Sequence, residues 1–115
     1  MATDIRAHAR NIPVSAQKTR LVVNLVRGKG VNEALSLLKF TPNGASHPVL
    51  KVLTAAAANA EENFGVSRDD LFIHSISADE APTRKWRRFG ARGRLKPILR
   101  RSSHVTIILR EREVK

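Results

Sequence analysis

Between Thr83 and Arg101 the chain reads TRKWRRFGARGRLKPILRR. Nine of these nineteen residues are Lys or Arg and none is acidic. Such a segment has too little apolar content for a core of its own, so the fold must be built from what lies on either side. The charge elsewhere is nearly balanced. Residues 1–82 hold nine basic and eight acidic side chains, and the stretch from Ser102 onward adds three basic and two acidic. An almost neutral body thus carries one strongly cationic segment. The formal net charge is +11, and a surplus of that size costs self-repulsion unless a polyanion neutralises it. Nucleic acid is the first partner to consider and an anionic membrane surface the second.

With 115 residues the expectation is one domain over 1–115. Its globular body takes in about 1–80 and 104–113, and a basic β-hairpin takes in about 81–103. The chain has no cysteine, which excludes disulfides and thiolate zinc sites. No apolar run in the first fifteen residues reads as a signal peptide. The longest near-apolar run, Val52 to Ala60, is far shorter than a membrane span.

Around the basic segment the patterns alternate or turn helical. Thr3 to Ala9 sets Ile5, Ala7 and Ala9 against Asp4, Arg6 and His8, a strand with one buried face that Asn11-Ile-Pro-Val ends. Ser15 can cap a helix. On that helix Lys18, Leu21, Val22, Leu25 and Val26 lie on one side and Arg20, Asn24 and Arg27 on the other, with Gly28 past its last turn. Asn32 to Phe40 predicts a second helix with Ala34, Leu35 and Leu38 inward, followed by the turn Thr41-Pro-Asn-Gly. A third helix is expected from about Ala45 to Asn63, with Pro48 in its first turn and Gly65 as its stop. Its apolar face is Leu50, Leu53, Ala57, Ala60 and Phe64, and its alanines point either to close packing or to helix propensity alone. Leu71 to Asp79 alternates imperfectly as a strand, and His104 to Arg110 alternates clearly. The basic segment lies between those two strands, which makes strand, segment and strand a long hairpin.

As an extended hairpin, Ala81 to Ser103 reaches up to about 36 Å from the body. Gly90 and Gly93 sit near its middle, where the chain must turn. Lys and Arg here would neutralise phosphates, which gives affinity and salt dependence with little sequence choice. Trp86 and Phe89 would stack on unpaired bases; the competing reading is that Trp86 covers an apolar edge of the body. Gly90, Gly93 and Pro97 argue against an amphipathic helix on a membrane. A second basic group is expected on the first helix and its flanks, at Arg10, Lys18, Arg20, Arg27 and Lys29. Catalysis finds little support. His8, His47, His74 and His104 are scattered without metal-ligand spacing, adjacent Glu61 and Glu62 point apart, and Ser102, Ser103 and His104 are mere sequence neighbours. No cofactor, metal or enzymatic activity is expected.

Four stretches resemble the bacterial large-subunit ribosomal protein L twenty-two family: ARNIPVSAQKTRLVVNLVRGK from Ala9, AAANAEENFG from Ala56, DEAPTRKWRRFGARGR from Asp79 and ILRRSSHVTIIL from Ile98. The resemblance covers about Ile5 to Arg110. It implies an α+β fold, three helices packed on a small antiparallel sheet, with a long protruding β-hairpin. It also implies a structural constituent of the large ribosomal subunit in the cytoplasm, with the body near the exit of the peptide tunnel. The hairpin would thread into large-subunit ribosomal RNA and support assembly. The implied partners are that RNA, neighbouring large-subunit proteins and the nascent peptide, with no membrane and no homo-oligomer. RNA contacts carry over to Arg10, Lys18, Arg20, Arg27, Arg84, Lys85, Arg92, Arg94, Arg100 and Arg101, and the segment's own composition adds Trp86, Arg87, Arg88 and Lys96. The tip motif carries over to Ala91, Arg92, Gly93 and Arg94, and with Phe89 and Gly90 it would line the tunnel. Phe89-Gly90 stands where Pro-Arg is common in that family, and Leu95-Lys96-Pro97 replaces an Ala followed by polar residues. The alternative is a free architectural nucleic-acid-binding protein whose basic β-arm enters a groove.

Overall fold

A computed structural model describes residues 4–89, 91–93 and 95–111. Readings that fall on Thr3, Gly90, Arg94 or residues beyond 111 lie outside them. In chain order the elements are β1 (Ile5–Ile12), α1 (Ala16–Val26), α2 (Val31–Phe40), α3 (Ser46–Phe64), β2 (Leu71–Glu80), β3 (Arg84–Phe89), β4 (Leu95–Arg100) and β5 (Ser103–Glu111). Short 3-10 turns stand at Arg68–Asp70 and Ala91–Gly93. β1, β5 and β2 form an antiparallel sheet in that order, and β3 pairs only with β4. The three helices pack on the sheet, so the expected α+β fold stands.

The central strand β5 alternates without a break: Ser103, Val105, Ile107 and Leu109 are buried. Both flanking strands break step. In β1 the register runs from Ala9 opposite Val105 to Ile12 opposite Ser103, so Arg10 and Asn11 together face His104. In β2 it jumps from Ile73 opposite Leu109 to Ser75 opposite Ile108, leaving His74 as the extra residue. Each jump is a β-bulge, which reverses the side-chain phase of everything beyond it. That corrects two expectations. β1 does not end at Asn11: it passes through that residue at φ 56° and returns Ile12 to the core. In β2 the inward set is Leu71, Ile73, Ile76 and Ala78, not one unbroken alternation.

Ser15 caps α1 as expected, its hydroxyl accepting from the Lys18 backbone N–H at 3.5 Å, and Gly28 follows the helix at φ 78°. The buried face of α1 differs from the expected one. Ala16, Thr19, Val22, Val23 and Val26 are buried, whereas Leu21 and Leu25 stay 62% and 44% exposed and Lys18 is exposed. Thr19 can turn inward because its hydroxyl finds polar partners there. α2 buries Val31, Ala34 and Leu38. α3 begins at Ser46 with Pro48 in its first turn and ends at Gly65, φ 65°. It buries Val49, Val52, Leu53, Ala56, Ala57 and Ala60, while Phe64 is exposed. The buried alanines answer the open question in favour of close packing: small side chains let α3 approach β1 and α2. Each fully buried Leu, Ile or Val in this core contributes about 1.5–3 kcal/mol.

The radius of gyration is 17.3 Å and the extents are 69 × 24 × 19 Å. A compact chain of this length would have a radius near 13 Å; a protruding two-stranded ribbon accounts for such an excess.

Candidate nucleic-acid interface

The basic segment forms a hairpin in register. Arg84 pairs with Arg100, Lys85 with Leu99, Trp86 with Ile98, Arg87 with Pro97, Arg88 with Lys96 and Phe89 with Leu95. Two of these six positions set cation opposite cation, an arrangement that destabilises an isolated β-ribbon. The turn at Ala91–Gly93 has Arg92 at φ 59° and Gly93 at φ 72°. A left-handed conformation suits Gly93 and is uncommon for Arg92. Both residues are exposed.

At the stem of the ribbon, the backbone N–H of Ala81 donates to Ser102 O at 3.1 Å, and Glu80 pairs with Ser103. The ribbon therefore leaves from the end of the β2–β5 ladder and forms a two-stranded sheet of its own. Two hollows flank this stem. One, about 290 Å³, lies between the first turn of α1 and both arms and is lined by Ser15, Gln17, Glu80, Thr83, Arg101 and their neighbours. The other is open, about 650 Å³, and brings Lys18 together with Arg100, Arg101 and Asn43.

The expected second basic group is divided by the fold. Only Lys18 joins the stem. Arg20 on α1 and Arg27 just past its end reach the outer edge of β2: Arg20 Nε donates to Ala78 O at 3.0 Å, and an Arg27 terminal nitrogen donates to Ile76 O at 2.9 Å. Ile73 N–H donates to Lys29 O at 2.9 Å along the same edge. These bonds cover an edge strand that would otherwise present free carbonyls. A guanidinium has five donors, so each arginine retains donors facing outward. Lys29 pairs with Glu33 at 3.6 Å. Arg10 lies on β1, at the opposite edge of the sheet.

Most of the body's acidic groups gather at the pole away from the ribbon. Glu61 pairs with Arg68 at 2.8 Å, and Asp69 accepts from Asn32 near the start of β2. At that same end Arg110 Nε donates to Asp4 Oδ1 at 2.5 Å. This hydrogen bond, helped by the positive charge, holds the Asp4 carboxyl below the usual carboxylate range and raises Arg110. The protein is thus electrically polarised along its long axis, which steers a polyanion toward the ribbon end.

The sequence assigns no RNA contact to Arg6, His8 or His104, reading the first two as the polar side of a strand and the histidines as scattered. All three share the face of the sheet opposite the helices, and the alternation of β1 was the available signal for the first two. Among the described residues, no group of three or more His, Cys, Asp or Glu is placed to hold a metal ion, and no helix is long and apolar enough to cross a membrane.

Residues 7–110 match the family model described as ribosomal protein L22p/L17e. Among curated proteins, the chain is 47% identical over 111 residues to the large ribosomal subunit protein uL22 of Pediococcus pentosaceus, covering 96% of this chain and 94% of that one. It is 49% identical over 110 residues to the proteins of the same name from Thermoanaerobacter sp. (strain X514) and Thermoanaerobacter pseudethanolicus, covering 96% of this chain and 99% of each.

Proposed function

The chain belongs to the ribosomal protein L22p/L17e family, and from that premise we propose how its two parts serve the ribosome. The protein is a structural constituent of the large ribosomal subunit, not an enzyme, and it binds ribosomal RNA among other ribosomal proteins. Its setting is the cytoplasmic ribosome. The body docks on the surface of the subunit. The ribbon enters the RNA, and its tip, Phe89 to Arg94, lines the tunnel through which the nascent peptide leaves. RNA contacts are assigned to Arg10, Lys18, Arg20, Arg27, Arg100 and Arg101 around the body and stem. Along the ribbon they are assigned to Arg84, Lys85, Trp86, Arg87, Arg88, Arg92, Arg94 and Lys96. The protein acts as a single copy.

One observation carries this reading: the hairpin register sets Arg84 opposite Arg100 and Arg88 opposite Lys96. Like charges set directly opposite each other disfavour the ribbon by itself. Phosphates along the face that these two pairs share would favour it, by neutralising each pair. Mechanically, a thin cationic ribbon fills a gap between RNA helices that a globular domain cannot enter, and it holds those helices together.

The test is sedimentation of a tagged copy in cell lysate at low and high salt, with and without ribonuclease. Co-migration with the large subunit that survives moderate salt and is lost on RNA digestion is the expected result. Migration with DNA, or as a free species, would support a groove-binding arm instead. For the tunnel, a photo-crosslinker at Arg92 should label a stalled nascent peptide; labelling of RNA alone would remove the tip from the tunnel wall.

A further inference from the structure

Six asparagines occur in the chain, and Asn43 alone is followed by glycine. It is also the one that lies outside the helices and strands: Asn11 is on β1, Asn24 on α1, Asn32 on α2, and Asn59 and Asn63 on α3. The pair Asn43-Gly44 sits in the loop between α2 and α3, with Asn43 half-buried and Gly44 exposed. The Ala45 backbone N–H donates to Asn43 Oδ1 at 3.0 Å. That bond draws electron density from the side-chain carbonyl and leaves Cγ open to attack; it also stabilises negative charge forming on Oδ1. The adjacent nucleophile is the Gly44 backbone nitrogen, whose N–H makes no hydrogen bond among the described residues. Glycine brings no side chain to obstruct the approach. The fold itself does not require one: Gly44 is not among the glycines with positive φ, and a Cβ added there would meet nothing within 4 Å.

We propose that Asn43 is a site of spontaneous deamidation, which puts a carboxylate among the cations at the stem of the ribbon in chains that RNA does not cover. The Gly44 nitrogen gives its proton to water and bonds to Asn43 Cγ. The bond from Cγ to Nδ2 then breaks, and ammonia leaves with a proton from water. A second attack by water opens the resulting cyclic imide at either carbonyl, leaving aspartate or isoaspartate at position 43. Water is the only reagent consumed. The place gives the reaction its consequence. Asn43 lines the open hollow together with Lys18, Arg100 and Arg101, and the new carboxylate, ionised at neutral pH, meets those cations in place of a phosphate. That consequence rests on the RNA-binding reading above; the chemistry does not. RNA lying over the hollow holds the loop and keeps bulk water from it, so assembled chains retain the amide while unassembled chains lose affinity as they age.

The experiment incubates the free full-length chain and assembled large subunits side by side at mildly alkaline pH, where the Gly44 nitrogen loses its proton more readily. Peptide mass spectrometry follows the gain of one mass unit, and chromatography separates aspartate from isoaspartate. In the free chain Asn43 should convert before the other asparagines and yield both products; in the subunit it should convert severalfold more slowly. Gly44→Ala should slow the conversion severalfold at an unchanged urea midpoint, because a Cβ shields the attacking nitrogen. Asn43→Asp keeps an oxygen for the Ala45 N–H and reproduces the product. It should bind transcribed large-subunit ribosomal RNA about fivefold more weakly, the loss of one surface charge contact, and flatten the slope of log affinity against log salt by roughly 0.7–0.9. Another asparagine converting first, or Gly44→Ala converting as fast as the wild type, would overturn the site. Equal rates in the free chain and the subunit would overturn the protection by RNA. Wild-type binding by Asn43→Asp, with Arg100→Gln/Arg101→Gln weakened, would overturn the consequence and leave the stem contacts standing. If that stem variant also binds normally, the RNA-contact reading itself fails, and the site is then decided by the mass measurement alone.

Discussion

Thr19 and Ser103, 84 positions apart in sequence, share a hydrogen bond of 3.0 Å between their hydroxyls and are both fully buried. Thr19 Oγ1 also donates to Ser15 O at 3.0 Å. Its one proton is then used, so Ser103 is the donor in the shared bond. The pair ties the start of α1 to the first residue of β5, where the ribbon leaves the body. Thr19→Val should cost about 1–3 kcal/mol, because it strands the Ser103 hydroxyl in the core. The double variant Thr19→Val/Ser103→Ala should cost less than the sum of the single changes. Urea denaturation of the four proteins measures the cycle, and additive costs would show that the hydroxyls do not act as a pair.

Arg20 and Arg27 carry two roles that a lysine separates. Lysine keeps the charge but cannot reproduce the planar fork of donors that meets the β2 edge. Arg20→Lys/Arg27→Lys should lower stability by about 1–3 kcal/mol, the worth of two partly exposed hydrogen bonds. RNA affinity should change little if the outward contacts are to phosphate alone. A large loss of affinity at unchanged stability would mean that these arginines use their fork on the RNA.

The Asp4–Arg110 contact makes stability depend on acid. The ordinary value for the Asp4 carboxyl is 3.8, and the folded value is lower, chiefly because of the Arg110 hydrogen bond. A depressed carboxylate stabilises the fold at pH values above 3.8 and loses that contribution as pH falls from there through the folded value. The wild type should therefore lose more stability than Asp4→Asn between about pH 5 and pH 2. Urea midpoints across that range give the comparison, and parallel curves would show that the contact does not contribute in solution.

The ribbon is expected to be dispensable for folding of the body. β3 and β4 pair only with each other, and the Ala81–Ser102 and Glu80–Ser103 contacts already close the ladder beneath them. Replacing residues 84–101 with a short Gly-containing turn should leave a cooperative urea transition while removing stable incorporation into the large subunit. Loss of cooperativity would show that the ribbon supports the body; normal incorporation would show that the ribbon is not the anchor.

Much of this architecture could be read locally. The charge imbalance of the basic segment is a property of composition, and no packing can bury it. Ser15, Gly28, Pro48 and Gly65 punctuate the helices through their own backbone preferences, so the helix boundaries followed. The resemblance carried by four stretches pointed to the family and, residue by residue, to the ribbon. The inward face of α1, the phase of β1 and β2 and the grouping of the basic residues were not legible in this way. Leu21 and Leu25 are the more apolar choice for burial, yet Thr19 takes the inner position because a hydroxyl from β5 meets it there. Two bulges reverse the alternation of the flanking strands because an extra residue is defined only by counting against β5. Arg20 and Arg27 turn to the β2 edge, Lys18 to the stem and Arg10 to the opposite face, although all four stand within eighteen consecutive residues. Local sequence sets the backbone preferences and total charge of a segment. Which face is buried, which acceptor an arginine finds and which cations act together depend on strands that stand 49, 58 or 84 residues away, and only the tertiary structure brings those together.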